Sequence, residues 1–455
     1  MGKPKKGERI KITIDNLAYG GAGVGRYNDF VVFVEGALPE EVVVADVYKS
    51  KSNYAEARLV QIESESPYRI APRCRHFPTC GGCRLQHLEY QKQTEYKRQQ
   101  LIDALRQIGK IDNPPVSKLI PSKQQFYYRN KMEYSFGLNY DNEPSLGLHP
   151  RGRFGRVFDL RECFLQSPES AAIVPAIGDA VRESNLPIYD IKKHIGLWRY
   201  LTIREGKNTN QRMLNFVTSK PAEDEILHIL EKAFPSGVAA QSVVNNINSK
   251  KASIAYGESE ILISGEDHII EETNGIKFKI SANSFFQTNS LTSGLLFEKI
   301  ISMADCRGDE NALDLYCGTG SISLNLAKRV KKVIGVDSEV SAIENAKTNR
   351  ELNGIENCDF YVADSLDYLL IAVSEDSKFD IVVADPPRVG LHPEIIPLLG
   401  RIAPSKLIYV SCNPPALARD YIGLSEVGYE LENVICVDMF PQTPHIEAIA
   451  LFSQR

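Results

Sequence analysis

One cysteine of the chain stands where a nucleophile is expected. Cys412 follows a short strand-like run, residues 406–410, and precedes N-P-P, which ends that strand at once. It should therefore lie at the carboxyl edge of a buried strand, where open α/β sheets bind ligands. An ionised thiol there can attack an electrophile, although an isolated free cysteine is more often a small buried apolar residue.

A nucleoside-cofactor loop is predicted at D-L-Y-C-G-T-G, residues 314–320. Gly318 and Gly320 let the backbone approach a ligand closely. Asp337 ends the next strand, where a carboxylate can accept hydrogen bonds from both ribose hydroxyls of a dinucleotide or of S-adenosylmethionine. A dinucleotide fingerprint needs a third glycine, so the loop favours a methyltransferase over a dehydrogenase.

Two further carboxylates end the third and fourth strands. Asp364 can hold an adenine amino group, or it can simply cap the following helix. In A-D-P-P-R the prolines stiffen a loop that projects Asp385 toward the methyl group. Amino-methylating enzymes have an aromatic residue after these prolines. Arg388 stands there instead, which favours a carbon acceptor over an exocyclic nitrogen.

A base for this chemistry is predicted near the C-terminus. Glu447 precedes an apolar terminal strand and His445 is the alternative base, whereas a surface position on an edge strand is the competing interpretation for Glu447. A thiol and a base together suit methylation at C5 of a pyrimidine. The thiolate adds at C6, C5 takes the methyl group, and the base removes the C5 proton before the thiol is eliminated.

The elements around these residues fall into three regions. Alternating strands separated by Gly and Asn turns predict a small β-barrel over residues 1 to about 65, in which Gly20 to Arg26 is a hairpin turn. A helix is predicted from Tyr90 to Ile108, and residues from about 120 to 275 mix strands and helices. From about residue 281, strands and helices alternate as in a doubly wound parallel sheet.

Composition indicates a cytoplasmic, globular protein of 455 residues, with 43% hydrophobic and 24% charged residues and no apolar run that could span a membrane. A net charge of −5 argues against indiscriminate coating of nucleic acid. Local clusters of basic and aromatic residues still suit phosphate contact with base stacking. Examples are Tyr127, Tyr128, Arg129, Arg151, Arg153, Arg156 and Arg161.

Four of the nine cysteines form a separate pattern. Cys74, Cys80 and Cys83 are closely spaced, and Cys163 follows 80 residues after the third. Four thiolates can bind zinc or an iron–sulfur cluster. Zinc ribbons usually present two close pairs, so three cysteines plus a distant fourth favour a [4Fe-4S] arrangement over zinc or unrelated thiols.

Taken together, these motifs resemble the RNA uracil-5-methyltransferase family along nearly the whole chain. The motifs that carry the resemblance are S-F-F-Q-T-N (284–289), D-L-Y-C-G-T-G, D-P-P-R, Y-V-S-C-N-P and P-Q-T-P-H-I-E. The resemblance implies a TRAM barrel of the oligonucleotide-binding type over residues 1–65, a mixed α+β central domain over 66–280 and a Rossmann-like methyltransferase domain over 281–455. It also implies that a segment of about 86–119 packs on the catalytic domain.

The resemblance further implies a role for each site residue. Cys412 would be the nucleophile and Glu447 the base. S-adenosylmethionine would be bound by Gln287, Tyr316, Gly318, Gly320, Asp337, Asp364 and Asp385. A [4Fe-4S] cluster would be held by Cys74, Cys80, Cys83 and Cys163.

The implied substrate is a uridine of 23S ribosomal RNA, because the barrel and the cysteine quartet occur together in that branch of the family. The alternatives are a transfer-RNA methyltransferase and an inactive RNA-binding protein whose cluster is structural or redox-sensing. No membrane association and no obligate protein partner are expected.

Overall fold

The computed structural model describes residues 2–455, which begin with a closed β-barrel. Its strands are β1 (Arg9–Leu17), β2 (Gly23–Tyr27), β3 (Phe30–Glu35), β4 (Val42–Ser50) and β5 (Ala55–Ser64). They close in the order β1-β2-β3-β5-β4. Ile10, Ile12 and Ile14 are buried because alternate side chains of β1 all point into the barrel. The small barrel predicted from the sequence is confirmed.

A long connection, one helix and a mixed sheet follow the barrel. The helix is α1 (Tyr90–Gln107), one residue shorter than predicted. The next elements are β6 (Lys131–Leu138), β7 (Pro144–Leu148), β8 (Phe158–Asp159), α2 (Pro168–Ser184), β9 (Trp198–Glu205), β10 (Arg212–Thr218), α3 (Glu223–Ala233), β11 (Ser242–Ile247) and β12 (Ser259–Gly265). Their strands form one sheet in the order β12-β11-β10-β9-β6-β7-β8. Trp198 and Phe216 lie in the core between this sheet and its two helices.

A hairpin and a second sheet complete the chain. The elements are β13 (His268–Thr273), β14 (Ile276–Ser281), α4 (Ser290–Ala304), β15 (Asn311–Leu315), α5 (Ser321–Ala327), β16 (Lys332–Asp337), α6 (Val340–Leu352), β17 (Cys358–Val362), α7 (Ser365–Ser374), β18 (Ile381–Ala384), α8 (Ile395–Ile402), β19 (Lys406–Ser411), α9 (Pro414–Glu426), β20 (Tyr429–Val437) and β21 (Glu447–Gln454). Phe278 of the hairpin packs in one core with Phe297 of α4 and Val333 of β16.

This second sheet, which we call the catalytic sheet, has the order β17-β16-β15-β18-β19-β21-β20. The first five strands are parallel, as predicted. The last strand differs from the prediction, because β21 runs antiparallel to both β19 and β20. The connection over residues 438–446 is too short for the crossover that a parallel return requires. β15 and β18 are neighbours, so the chain reverses its winding between them and opens a crevice at their carboxyl ends.

Helix α1 packs on the catalytic sheet although it precedes the central sheet in sequence. Leu101 and Leu105 of α1 share a core with Leu417 of α9 and Val434 of β20. The chain after the helix continues along the sheet, where Val116 forms a parallel bridge with Val434. Within residues 2–455, no helix has the length and apolar character that crossing a membrane requires.

A buried ion pair fixes this packing. The Nζ of Lys97 lies 2.7 Å from Oδ1 of Asp438, and the two side chains are 1% and 0% exposed. The hydroxyl of Tyr90 donates to Oδ2 of Asp438 at 2.9 Å, and Lys97 also donates to the carbonyl of Phe440 at 3.0 Å. Asp438 begins the connection that ends at Glu447, so α1 holds one end of the segment that carries the predicted base.

We expect Lys97→Met to destabilise the protein by about 3 kcal/mol or more, because it leaves the buried Asp438 carboxylate without its cation. The loss would be measured as the free energy of unfolding in urea. Lys92→Met is the matched control on the same helix, since Lys92 and Glu95 are 25% and 48% exposed and water screens their attraction. Equal losses in the two variants would contradict a stabilising role for the buried pair.

Candidate active site

The predicted nucleophile and base meet at one edge of the catalytic sheet. The register of β19 and β21 pairs Ser411 with Ala448. Cys412 follows Ser411, and Glu447 precedes Ala448 on the antiparallel neighbour. The two side chains therefore lie side by side where β19 ends, at the start of the loop into α9.

Glu447 lies in the interior of the protein. Its strand runs between β19 and β20, and the side chain is only 6% exposed, which excludes the surface position on an edge strand. Burial raises the pKa of Glu447 well above its usual value, and the nearby carboxyl of Asp385 raises it further, while Arg388 lowers it. Such a carboxylate holds a proton strongly once it has accepted one.

Cys412 is half-buried, and its surroundings oppose ionisation. Burial and the charge of Glu447 raise the pKa of the thiol to about 11, with a smaller contribution from Asp385. The positive charge of the Arg388 guanidinium acts in the opposite direction and lowers this pKa. Arg388 is thus the basic group that favours the thiolate, a role that the sequence analysis did not assign to it.

Asp385 joins the site from β18, the other neighbour of β19. Burial raises the pKa of its carboxyl to about 7. The Nε2 of Gln287 donates to Oδ2 of Asp385 at 3.4 Å. Gln287 lies just before α4 and is itself held by Asn130, whose Nδ2 donates to its carbonyl at 2.8 Å. A residue of the central region therefore helps to position a group beside the sheet.

His445, the alternative base, is less suited to accept a proton. Burial lowers the pKa of its imidazole to about 4, and the positive charges of Arg388 and Lys97 lower it further. At neutral pH this ring is uncharged and has a low affinity for a proton, so it is a weaker proton acceptor than the Glu447 carboxylate, whose pKa is raised. The low proton affinity of His445 and the position of Glu447 beside Cys412 together favour Glu447 as the base.

The predicted cofactor loop has the backbone that close approach to a ligand requires. Tyr316, Gly318 and Gly320 have φ angles of 64°, 55° and 83°. A side chain at Gly320 would collide with Phe360, since a Cβ there would lie 2.8 Å from Cζ of that ring. The positive φ of Tyr316 is uncommon for a residue with a side chain and is typical of functional loops.

Asp337 is tied to this loop by the backbone. The N–H of Gly318 donates to its Oδ2 at 3.0 Å, and the N–H of Glu339 donates to its Oδ1 at 2.9 Å. Each oxygen keeps a lone pair for a ribose hydroxyl. These contacts fit the adenosine part of S-adenosylmethionine.

Asp364 caps helix α7, which was the alternative to adenine binding in the sequence analysis. Its carboxylate accepts from the N–H of Leu366 at 2.8 Å and caps α7. The side chain is exposed at the carboxyl end of β17, so one oxygen is left for another donor. The adenine contact stays a prediction.

The cysteine quartet is brought together by the fold. Cys74, Cys80 and Cys83 lie on the connection before α1 and Cys163 lies before α2, and all four line one cavity in the central region. Cys83 and Cys163 are desolvated there, and burial raises the pKa of the thiols to about 12 and about 11. The N–H of Gly82 donates to Sγ of Cys80 at 3.3 Å.

The four thiols are not arranged as the ligands of a single metal ion. Within residues 2–455, no three His, Cys, Asp or Glu side chains are arranged around one metal ion. Backbone N–H groups directed at thiolate sulfur are a usual feature of iron–sulfur sites.

Sequence comparisons agree with the geometry. The family model for tRNA (uracil-5-)-methyltransferase matches residues 249–455, and the TRAM domain model matches residues 3–60. An uncharacterised RNA methyltransferase of Clostridium tetani is 36% identical over 453 residues, which cover 99% of this chain and 97% of that protein. Another from Halalkalibacterium halodurans is 36% identical over 455 residues, which cover 99% and 98%.

A solved structure resembles the whole chain. It is the tRNA (uracil-54, C5)-methyltransferase of Pyrococcus abyssi in complex with S-adenosyl-L-homocysteine. The two proteins are 30% identical, with a TM-score of 0.77 over 97% of this chain and 100% of that one. The similarity therefore extends from the catalytic sheet into the barrel.

We expect alkylation of Cys412 by iodoacetamide to accelerate as the pH rises toward about 11, because only the thiolate reacts. Arg388→Met removes the charge that lowers the pKa of this thiol. Alkylation at pH 8 should then slow about threefold, the effect of half a pKa unit.

Mass spectrometry of the tryptic peptide 407–419, which contains no other cysteine, would give the rate for Cys412. Arg401→Met, an exposed charge on α8, is the control and should leave the rate unchanged. Unchanged or faster alkylation in Arg388→Met would refute the role of Arg388.

Proposed function

Because the chain belongs to the RNA uracil-5-methyltransferase family, we propose that it methylates C5 of a uridine in 23S ribosomal RNA through a covalent adduct with Cys412. The enzyme uses S-adenosylmethionine, as the methyltransferase fold and the relative bound to S-adenosyl-L-homocysteine indicate. The observation that carries the proposed mechanism is the placement of Cys412 beside Glu447 on adjacent strands, with Asp385 on the neighbouring strand.

The cofactor would lie in the crevice between the loops after β15 and β18. Bound S-adenosylmethionine supplies an electrophilic methyl group. Asp337 would hold the ribose, and Asp385 would orient the methyl-bearing end with Gln287. The full set of proposed cofactor-binding residues is Gln287, Tyr316, Gly318, Gly320, Asp337, Asp364 and Asp385.

Cys412 would activate the uracil ring. Its thiolate adds to C6, and the electrons of the C5=C6 bond move toward the C4 carbonyl, which makes C5 nucleophilic enough to accept the methyl group. Glu447 then takes the C5 proton, the C5=C6 bond forms again and the thiolate leaves. Arg388 would stabilise the thiolate before the addition and after the elimination.

The raised pKa of Glu447 suits its role as the acceptor of the C5 proton. A carboxylate with low proton affinity would return the C5 proton, whereas the buried Glu447 retains it. The enclosed position also keeps water from competing for the proton. RNA is recognised mainly through unstacked bases, so the target uridine would be flipped from its stack into the site.

A second candidate substrate is transfer RNA. The Pyrococcus abyssi relative acts on it by name, and its similarity to this chain includes the barrel. The presence of the barrel therefore does not distinguish a 23S RNA methyltransferase from a transfer-RNA methyltransferase. The preference for 23S RNA rests on the barrel occurring together with the cysteine quartet. An RNA substrate also agrees with the cytoplasmic location expected from composition. The presence of Cys412, Glu447 and Asp385 in one site argues against an inactive RNA-binding protein.

We expect Glu447→Gln to accumulate a covalent protein–RNA complex, because the C5 proton then stays and the thiolate cannot leave. The variant would be incubated with S-adenosylmethionine and mixed ribosomal and transfer RNA from cells that lack the protein. A denaturing gel would separate the complex, and sequencing the trapped RNA would identify the substrate. The proposal requires 23S RNA in the band.

Two cysteine variants control this experiment. Cys412→Ala should trap no RNA and transfer no methyl group, whereas Cys306→Ser, at the end of α4, should behave as the wild type. Trapped transfer RNA would replace the proposed substrate and keep the mechanism. Full methylation by Cys412→Ala would refute the nucleophile.

We propose separately that Cys74, Cys80, Cys83 and Cys163 hold a [4Fe-4S] cluster. Their shared cavity and desolvated sulfurs support this assignment. The loop of Cys80 and Cys83 continues into Arg84 and Leu85, whose N–H groups donate to the carbonyl of Gln442 at 2.9 and 3.0 Å. The cluster would thereby stabilise the connection that leads to Glu447.

We expect protein purified without oxygen to be brown and to contain about four irons and four sulfides per chain. Cys83→Ala should lose the visible absorption and most of the iron, whereas Cys306→Ser should retain both. A colourless wild-type protein with one zinc per chain would refute the cluster.

A further inference from the structure

The turn between β1 and β2 of the barrel is anchored to the central region by its backbone. This turn, residues 18–22, accepts a hydrogen bond from Nη1 of Arg84 at the carbonyl of Gly20, at 2.9 Å. The Nε2 of Gln100, on α1, donates to the carbonyls of Leu17 and Ala18 at 3.0 and 3.2 Å. None of these contacts uses a side chain of the turn.

The same turn lies against the connection that carries the base. A Cβ at Gly21 would lie 3.7 Å from Cβ of Pro444 and 3.3 Å from Cδ2 of Leu85, so the backbone is already in near contact with both residues. Leu85 in turn donates from its N–H to the carbonyl of Gln442. The turn is therefore held within a few residues of Glu447.

Tyr19 is the large exposed side chain of this turn. The charges of Cys412 and Glu447 raise the pKa of its phenol, after the larger effect of burial, and the charge of Arg388 lowers it. Its ring nevertheless remains 46% exposed. The turn thus places an exposed aromatic side chain of the barrel close to the connection that leads to Glu447.

Packing does not account for this ring. A residue in the barrel core would be buried, and the turn keeps its anchors without the Tyr19 side chain because they are backbone carbonyls. A nucleotide flipped into an active site leaves its neighbours unstacked. Exposed aromatic rings bind such bases by stacking, whatever their identity.

We propose that Tyr19 is an RNA-contacting residue of the active site, and that its ring stacks on a base next to the uridine bound between Cys412 and Glu447. This inference rests on the proposed function and adds a role for the barrel. The barrel then supplies part of the substrate pocket itself, in addition to general RNA affinity.

Two substitutions test the ring and the hydroxyl separately. Tyr19→Ala should raise the KM for RNA about tenfold with kcat changed less than about threefold, since one stacked base is lost. Tyr19→Phe keeps the ring and should stay within about twofold of the wild type. The substrate would be total RNA from cells that lack the protein, with labelled S-adenosylmethionine.

Tyr54→Ala is the matched control from the same barrel. Tyr54 lies between β4 and β5, and its ring contacts Phe33 at 5.7 Å between centroids. This variant should leave the KM for RNA unchanged, and all variants should bind S-adenosylmethionine equally in equilibrium dialysis. A KM of Tyr19→Ala equal to that of Tyr54→Ala would overturn the proposal. Equal losses in Tyr19→Phe and Tyr19→Ala would assign the contact to the hydroxyl and refute stacking.

Ultraviolet crosslinking gives a readout that does not depend on methylation. Tyr19 is the only aromatic residue of the tryptic peptide 12–26, so a nucleotide attached to this peptide would confirm the contact. Absence of that product, with crosslinks elsewhere in the chain, would refute it. If the wild type transferred no methyl group, the proposed function would fail while this measurement still decided the role of Tyr19.

Discussion

The active site depends on the buried contact of α1 with the connection between β20 and β21. Lys97 and Tyr90 hold Asp438 at its start, and Gln93 donates to the side chain of Gln442 at 3.0 Å further along. A charge pair that is fully removed from water is costly to break, so this segment has few alternative positions. Glu447 follows directly from it and is thereby fixed against Cys412.

The site combines three acidic groups with a single nearby arginine. Cys412, Asp385 and Glu447 each lose hydration, the charges of Asp385 and Glu447 oppose ionisation of Cys412, and the charge of Asp385 opposes ionisation of Glu447. Arg388 lowers the cost of a negative charge on both Cys412 and Glu447. Arg388 therefore assists a reaction that first needs a thiolate and later a carboxylate.

The three regions of the chain meet at the catalytic edge. The barrel presents Tyr19, the central region holds Gln287 through Asn130, and the residues directly after Cys83 donate to the carbonyl of Gln442. Through these contacts the barrel and the quartet are connected to the segments that carry the active-site residues. It also explains how similarity to a tRNA methyltransferase can extend over the entire chain, since each region takes part in one site.

The sequence by itself determined the features that are encoded within single βα units. Local periodicity and turn residues predict the strand before Cys412, the two glycines of the cofactor loop and the alternation of β1. The barrel and the methyltransferase fold are confirmed. Only the tertiary structure decided which distant residues meet. Tyr90 and Asp438 are 348 positions apart, and no local pattern predicts their contact. For the same reason the antiparallel β21, the burial of Glu447 and the contact of the β1–β2 turn with Pro444 could not be predicted. Each depends on how separate elements pack to remove apolar surface from water.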